Sequence, residues 1–248
     1  MSELSLEKLK PLAAKNIKPF LDDILSKYQD KIHSIYITGT AVTDDFNEKT
    51  SDVNSLIVLK GMDMKFLEQL MLLGKKYSKH RVAAPLIMTP EYLNTSLDVF
   101  PIEFLNFKLS HVTVFGEDLL ENLEISLADL RQQCERELKV KLISLRQGYI
   151  SSLGNRKILA EGLAKHITGY VPLFRGIIVL FGKLPPIRQR EVIKSLSDAA
   201  NINTDIFANV LRVKREKTKL SQQDLNTLFE DYYNATEKLG KIVDEIKE

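Results

Sequence analysis

Ser34-Ile35-Tyr36-Ile37-Thr38-Gly39-Thr40, followed thirteen positions beyond Gly39 by Asp52-Val53-Asn54-Ser55-Leu56-Ile57-Val58, is the stretch whose reading decides the fold. Both runs are apolar and β-branched and are read as strands, at about Ser34–Thr38 and Val53–Leu59. Side chains at i and i+2 share a face in a strand. Asp52 and Asn54 then point the same way, with Leu56 and Val58 continuing that face, while Val53 and Ile57 pack on the other. Thr43-Asp44-Asp45-Phe46-Asn47-Glu48-Lys49-Thr50-Ser51 is polar and turn-rich and reads as the loop between. Oxygen-bearing side chains at a strand mouth, beside a glycine turn that lets backbone amides approach an anion, suit a metal-bound phosphate.

Work outward from this pair gives a sharp change of rhythm. Leu6, Leu9, Ala13, Ile17, Phe20, Leu21, Ile24, Leu25 and Tyr28 recur at helical spacing ahead of it, with Pro11 and Pro19 expected to begin successive helical pieces. Beyond it, Met64, Leu67, Leu70 and Met71 mark an amphipathic helix. Further strands are expected at Arg81–Met88, Val99–Phe107 and Val112–Phe115. Past Gly116 the pattern turns helical: Leu127, Leu130, Cys134, Leu138, Leu142, Leu145 and Tyr149 step by three or four, as do Leu225, Leu228, Phe229, Tyr232, Leu239, Val243 and Ile246. Shorter helical patterns cover Ile158–Tyr170, Glu191–Ala200 and Asp205–Val213. The expectation is an α/β (α+β) chain: a mixed β-sheet domain over residues 1–125 and an all-helical bundle of about five helices over 126–248.

The first half resembles the nucleotidyltransferase superfamily of DNA polymerase beta and the aminoglycoside adenylyltransferases. Gly39-Thr40 stands for that superfamily's glycine turn, with Thr in place of a small residue. Asp52-Val53-Asn54 stands for its Asp-x-Asp, with an amide replacing the second acid. The third carboxylate lies on a later strand, for which Glu103 in Phe100-Pro101-Ile102-Glu103-Phe104-Leu105 is the best match, Asp98 falling on the opposite face. The αβ-then-helical layout, and the Gly182-Lys183 turn before a helix, resemble the aminoglycoside adenylyltransferase group.

The resemblance implies magnesium-dependent transfer of a nucleoside monophosphate, AMP from ATP, to a hydroxyl-bearing acceptor, both substrates lying in a cleft between domains. Two magnesium ions about 3.5–4 Å apart clamp the attacking and leaving oxygens in such chemistry. Asp52, Asn54 and Glu103 are then the metal ligands, Asp52 and Glu103 the catalytic pair, and Gly39, Thr40 and Asn54 the nucleotide-binding set. Asn54 ligates a metal without adding charge, so three acids fall to two unless Asp44, Asp45 or Glu48 substitutes. Two readings follow: transfer with an impaired metal site, or a catalytically inactive protein of this fold that binds a nucleotide or a protein partner.

Composition narrows the remaining classes. The net charge of +2 gives no global bias toward nucleic acid or membrane. Lys214-Arg215-Glu216-Lys217-Thr218-Lys219 is the one basic cluster, a solvated turn or, in a third reading, a phosphate or nucleic-acid patch. The single cysteine, Cys134, excludes an internal disulfide and sits at an apolar helical position, as a buried thiol does. His33, His80, His111 and His166 show no ligand spacing. No apolar run approaches the ~18 residues of a membrane span, and the N-terminus is unlike a signal peptide, so a cytoplasmic location is expected.

Overall fold

The computed structural model describes residues 4–167, 169–216 and 220–246. The chain separates into two compact units, residues 1–97 with 104–124, and residues 98–103 with 125–248.

The first unit opens with helix α1 (Pro11–Tyr28). Pro11 occupies its first turn, where a missing N–H costs nothing. Pro19 lies inside this helix rather than starting a new one. The buried stripe of Ala13, Ile17, Phe20, Leu21 and Ile24 runs through it and holds the two halves as one. Strands β1 (Ile32–Thr38) and β2 (Asn54–Leu59) follow, then α2 (Met64–Tyr77), the short strand β3 (Leu86–Met88) and helix α3 (Pro90–Thr95). Helix α4 (Pro101–Leu109) and strand β4 (His111–Gly116) complete it, with Pro101–Glu103 counted in the second unit.

The sheet order is β3-β2-β1-β4, with β1 antiparallel to β2 and β4, and β2 parallel to β3. One face carries Ile35, Ile37, Val53, Ile57, Leu59 and Val114 into a core with α1 and with Phe66 of α2. Tyr36, Leu56 and Val58 are buried outside that cluster. The two-residue alternation expected from the sequence thus separates two buried faces.

Two strand expectations change. Val99–Phe107 is not a strand: Pro101 begins α4, with Glu103 in its first turn and Lys108 in its last, a charge order that complements the helix dipole. The Arg81–Met88 strand shrinks to Leu86–Met88, preceded by an isolated parallel bridge between Val53 and Val82.

The second unit holds helices α5 (Leu127–Ser151), α6 (Arg156–His166), α7 (Tyr170–Leu180), α8 (Gln189–Ala200), α9 (Asp205–Glu216) and α10 (Gln222–Asp244). That is six among the described residues, where about five were expected. Ser126, Asn155 and Ser221 cap α5, α6 and α10 by accepting from backbone amides of their first turns. Helix α7 is the unforeseen one. It is apolar around most of its circumference, so no stripe announces it, and Leu173, Phe174, Gly176, Ile177 and Ile178 are buried. A Cβ on Gly176 would stand 3.0 Å from Cys134 Sγ and 3.2 Å from Leu130 Cδ1, so glycine is what lets α5 and α7 approach. Cys134 is buried as expected, and burial pushes its thiol pKa up.

Tyr170, Phe174, Phe207 and Tyr232 form an aromatic cluster in which ring centroids lie 4.9–5.6 Å apart. His166 is built into it: Nδ1 lies 3.2 Å from Tyr232 Oη and Nε2 2.9 Å from the Lys141 carbonyl. The Lys141 ammonium sits 4.4 Å from the centre of the Tyr170 ring. Burial lowers the pKa of Lys141, raises that of Tyr170 to about 12, and pushes the His166 imidazole down to about 4 from 6.5.

A histidine depressed in the folded state binds its proton earlier in the unfolded chain. Stability contributed by neutral His166 is therefore complete above pH ~6.5 and drains away down to pH ~4. Urea midpoints measured across that window should fall with pH in the natural protein and fall less in His166→Gln.

Candidate functional site

The β1–β2 register pairs Thr38 with Asn54, and Gly39 follows Thr38 directly. The glycine turn and the Asp-x-Asn segment therefore meet at one end of the sheet. Gly39 has φ +72°, and a Cβ built on it would lie 3.5 Å from Asn54 Nδ2. The site needs glycine there for its backbone angle, since the space itself would admit a methyl group. Residues Gly39–Val42 form a single 3-10 turn, with Ala41 buried and Thr40 exposed.

Asp52, Asn54 and Val53 behave as the alternation requires. Val53 is fully buried, and the two polar residues beside it are exposed. The segment is pinned from its far side: Val53 N–H donates to the Arg81 carbonyl at 2.8 Å, and Ala83 N–H donates to the Val53 carbonyl at 3.1 Å. These bonds bring Arg81 alongside Asp52, with Nη1 3.9 Å from Oδ1. Arg81 occupies the left-handed region at φ 56°, ψ 32°, closing the short helical turn Ser78–His80. Glycine or asparagine is the usual occupant of such a position, and another L-residue costs about 1–2 kcal/mol. No sequence pattern flags this residue, because the pairing crosses between segments.

At the same end of the sheet Thr38 pairs with His111 of β4. His111 Nε2 lies 2.9 Å from Asp118 Oδ2, its Nδ1 lies 2.7 Å from the Phe107 carbonyl, and the Thr113 hydroxyl donates to Asp118 at 2.8 Å. Burial pushes the Asp118 carboxyl up, but the hydrogen bonds from His111 and Thr113 outweigh it and hold the pKa below its ordinary value. Both ring nitrogens of His111 are occupied, so it ties the end of α4 to β4 and the following turn.

Glu103 is on helix α4, not on a strand, and is exposed. Its carboxylate accepts from Gln133 Nε2 at 2.8 Å, while Gln133 Oε1 accepts from the Ile102 amide at 2.7 Å. Buried Gln133 thus clamps the start of α4 and orients Glu103. Asp98 lies in the turn before that helix, and Asp44 forms an ion pair with Lys10 at 2.7 Å. The strands after β2 read Leu86-Ile87-Met88 and His111–Gly116, neither with an acid. Of the basic cluster, Lys214–Glu216 close α9 and Lys217–Lys219 lie outside the described residues.

The donor set does not fit two magnesium ions. Magnesium selects hard, charged oxygen ligands, and the strands offer one carboxylate, already facing a guanidinium, and one neutral amide. Among the described residues no three His, Cys, Asp or Glu side chains are grouped to hold a metal ion.

The chain is similar in structure to spectinomycin adenyltransferase AAD(9) from Enterococcus faecialis, solved with ATP and spectinomycin. The two are 12% identical, and the match covers 90% of this chain and 99% of that one at a TM-score of 0.56. The fold is therefore the nucleotidyltransferase fold, here a mixed-sheet unit and a helical one. No protein-family model matches the chain, nor does any curated protein sequence. Among the described residues no single helix is long and apolar enough to cross a membrane.

The Arg81 side chain is exposed and its backbone is left-handed, so Arg81→Asn should unfold at the same urea concentration as the natural protein or slightly above it. A midpoint lowered by more than about 1 kcal/mol equivalent would make Arg81 a structural residue.

Proposed function

We propose that this chain binds a nucleoside triphosphate, ATP by analogy with AAD(9), at the β1–β2 end of its sheet, and that nucleotidyl transfer there is slow or lost. The observation that carries the reading is the pairing of Thr38 with Asn54, which sets the Gly39 turn beside Asp52 and Asn54. The Gly39–Thr40 turn approaches the phosphates through backbone and the Thr40 hydroxyl, and Asn54 offers an amide that both donates and accepts. Together these groups suit a ligand with several acceptor oxygens.

Transfer asks for more than binding. An acceptor hydroxyl must attack the α-phosphate while pyrophosphate leaves, and the charge that develops must be neutralised where it appears. Magnesium, when bound in such sites, supplies that neutralisation. Here neutral Asn54 stands where a second acid would, the later strands of the sheet carry none, and Asp52 faces Arg81. These features favour the binding protein over the transferase, whose acceptor would be a hydroxyl compound.

Calorimetry should register saturable ATP binding. Incubation with α-labelled ATP and hydroxyl-bearing acceptors, aminoglycosides included, should leave the acceptors unlabelled. Labelled acceptor would establish the transferase instead. Asn54→Asp should raise magnesium affinity about tenfold by restoring a second carboxylate on the face of Asp52, and equal affinities would mean that the two side chains do not converge on one ion.

A further inference from the structure

We propose that Arg81 is the phosphate-binding cation of this site and that nucleotide binding there proceeds without a divalent metal; this rests on the nucleotide-binding reading above. Four observations converge. The Arg81 guanidinium stands 3.9 Å from Asp52, with side-chain exposures of 44% and 59%, so both groups are open to a ligand. The backbone on either side of Val53 is hydrogen-bonded to Arg81 and Ala83, which fixes the Arg81 Cα beside the strand mouth instead of leaving it on a wandering loop. The left-handed backbone at Arg81 does not call for an arginine, and its charged side chain is exposed. Finally, residues 69–90 contain no acid, and with Lys76 paired to Asp23 at 2.8 Å the stretch still carries Lys75, Lys79 and Arg81.

The charge balance follows. Asp52 and Arg81 cancel, and Asn54 is neutral, so these three side chains leave no surplus negative charge with which to recruit a dication. A polyphosphate, by contrast, out-competes one exposed carboxylate for the guanidinium. An exposed ion pair at this separation is weak and screened by water, whereas a guanidinium meets a phosphate through two parallel N–H···O bonds. Asp52 in this scheme is the counter-charge that the phosphates displace from Arg81. That assignment reverses the sign expected of a metal ligand: removing the Asp52 charge should help the anion.

The test is ATP titration by calorimetry in excess EDTA and again in magnesium. The natural protein should bind ATP in EDTA within about threefold of its affinity in magnesium, and Arg81→Gln and Arg81→Asn should each lose about tenfold or more in EDTA. Arg81→Lys should keep part of the affinity, and Asp52→Asn should bind ATP more tightly in EDTA than the natural protein. Binding seen only with magnesium, an Arg81→Gln affinity equal to that of the natural protein, or weaker binding by Asp52→Asn would overturn the assignment while leaving the nucleotide site standing. Absence of ATP binding in both buffers would overturn the nucleotide site itself.

Discussion

The antiparallel pairing of β1 with β2 is the constraint on which the first unit depends. Its register runs from Ile32 opposite Leu59 to Thr38 opposite Asn54. A slip of one residue would exchange the two faces of a strand, moving Val53 and Ile57 out of the core shared with α1 and placing Asp52 and Asn54 in it. Burying an unpaired carboxylate costs several kcal/mol, so the register is set as much by what must stay wet as by what must stay dry. The same pairing places Gly39 against Asn54, and the parallel neighbour of β2 brings Arg81 to Asp52. Site geometry is thus a by-product of the pairing that closes the core.

The second unit is organised by different physics. Its polar groups are drawn inward and satisfied there: His166 by Tyr232 and the Lys141 carbonyl, and Tyr170 by Thr236 at 3.1 Å. Aromatic edges meet faces around these bonds, an arrangement worth ~0.5–1.5 kcal/mol per pair beyond simple burial. Networks of this kind favour one packing over its near alternatives, because a shifted helix would strand a buried hydroxyl or imidazole without a partner.

The strand pair, the glycine turn and the long helices α5 and α10 are legible in the sequence because each is a local pattern of one period. What escaped reading was tertiary or aperiodic. Ile102, Glu103, Phe104 and Leu105 mimic strand alternation, yet Pro101 at the head and Lys108 at the foot are helix boundary signals, and they prevailed. The β3 strand is cut short by Pro85 and Pro90, each removing an amide from any longer ladder. Of the proposed site, Gly39, Thr40, Asp52 and Asn54 are brought to one sheet end as their spacing implies. Arg81 reaches Asp52 by a long-range contact that leaves no trace in spacing, the His111–Asp118 pair spans seven residues that no motif marks, and Glu103 owes its orientation to Gln133, thirty residues away.

Helix α7 has a consequence for how the second unit comes into being. Tyr170 touches Phe207 on α9 and Tyr232 on α10, and Gly176 lies against Cys134 of α5. During synthesis α7 leaves the ribosome well ahead of α9 and α10, carrying an oily surface whose last cover is still unmade. For that interval the side of α7 that Phe207 and Tyr232 cover is bare. Arrival of α9 and then α10 at Tyr170 is what closes that side.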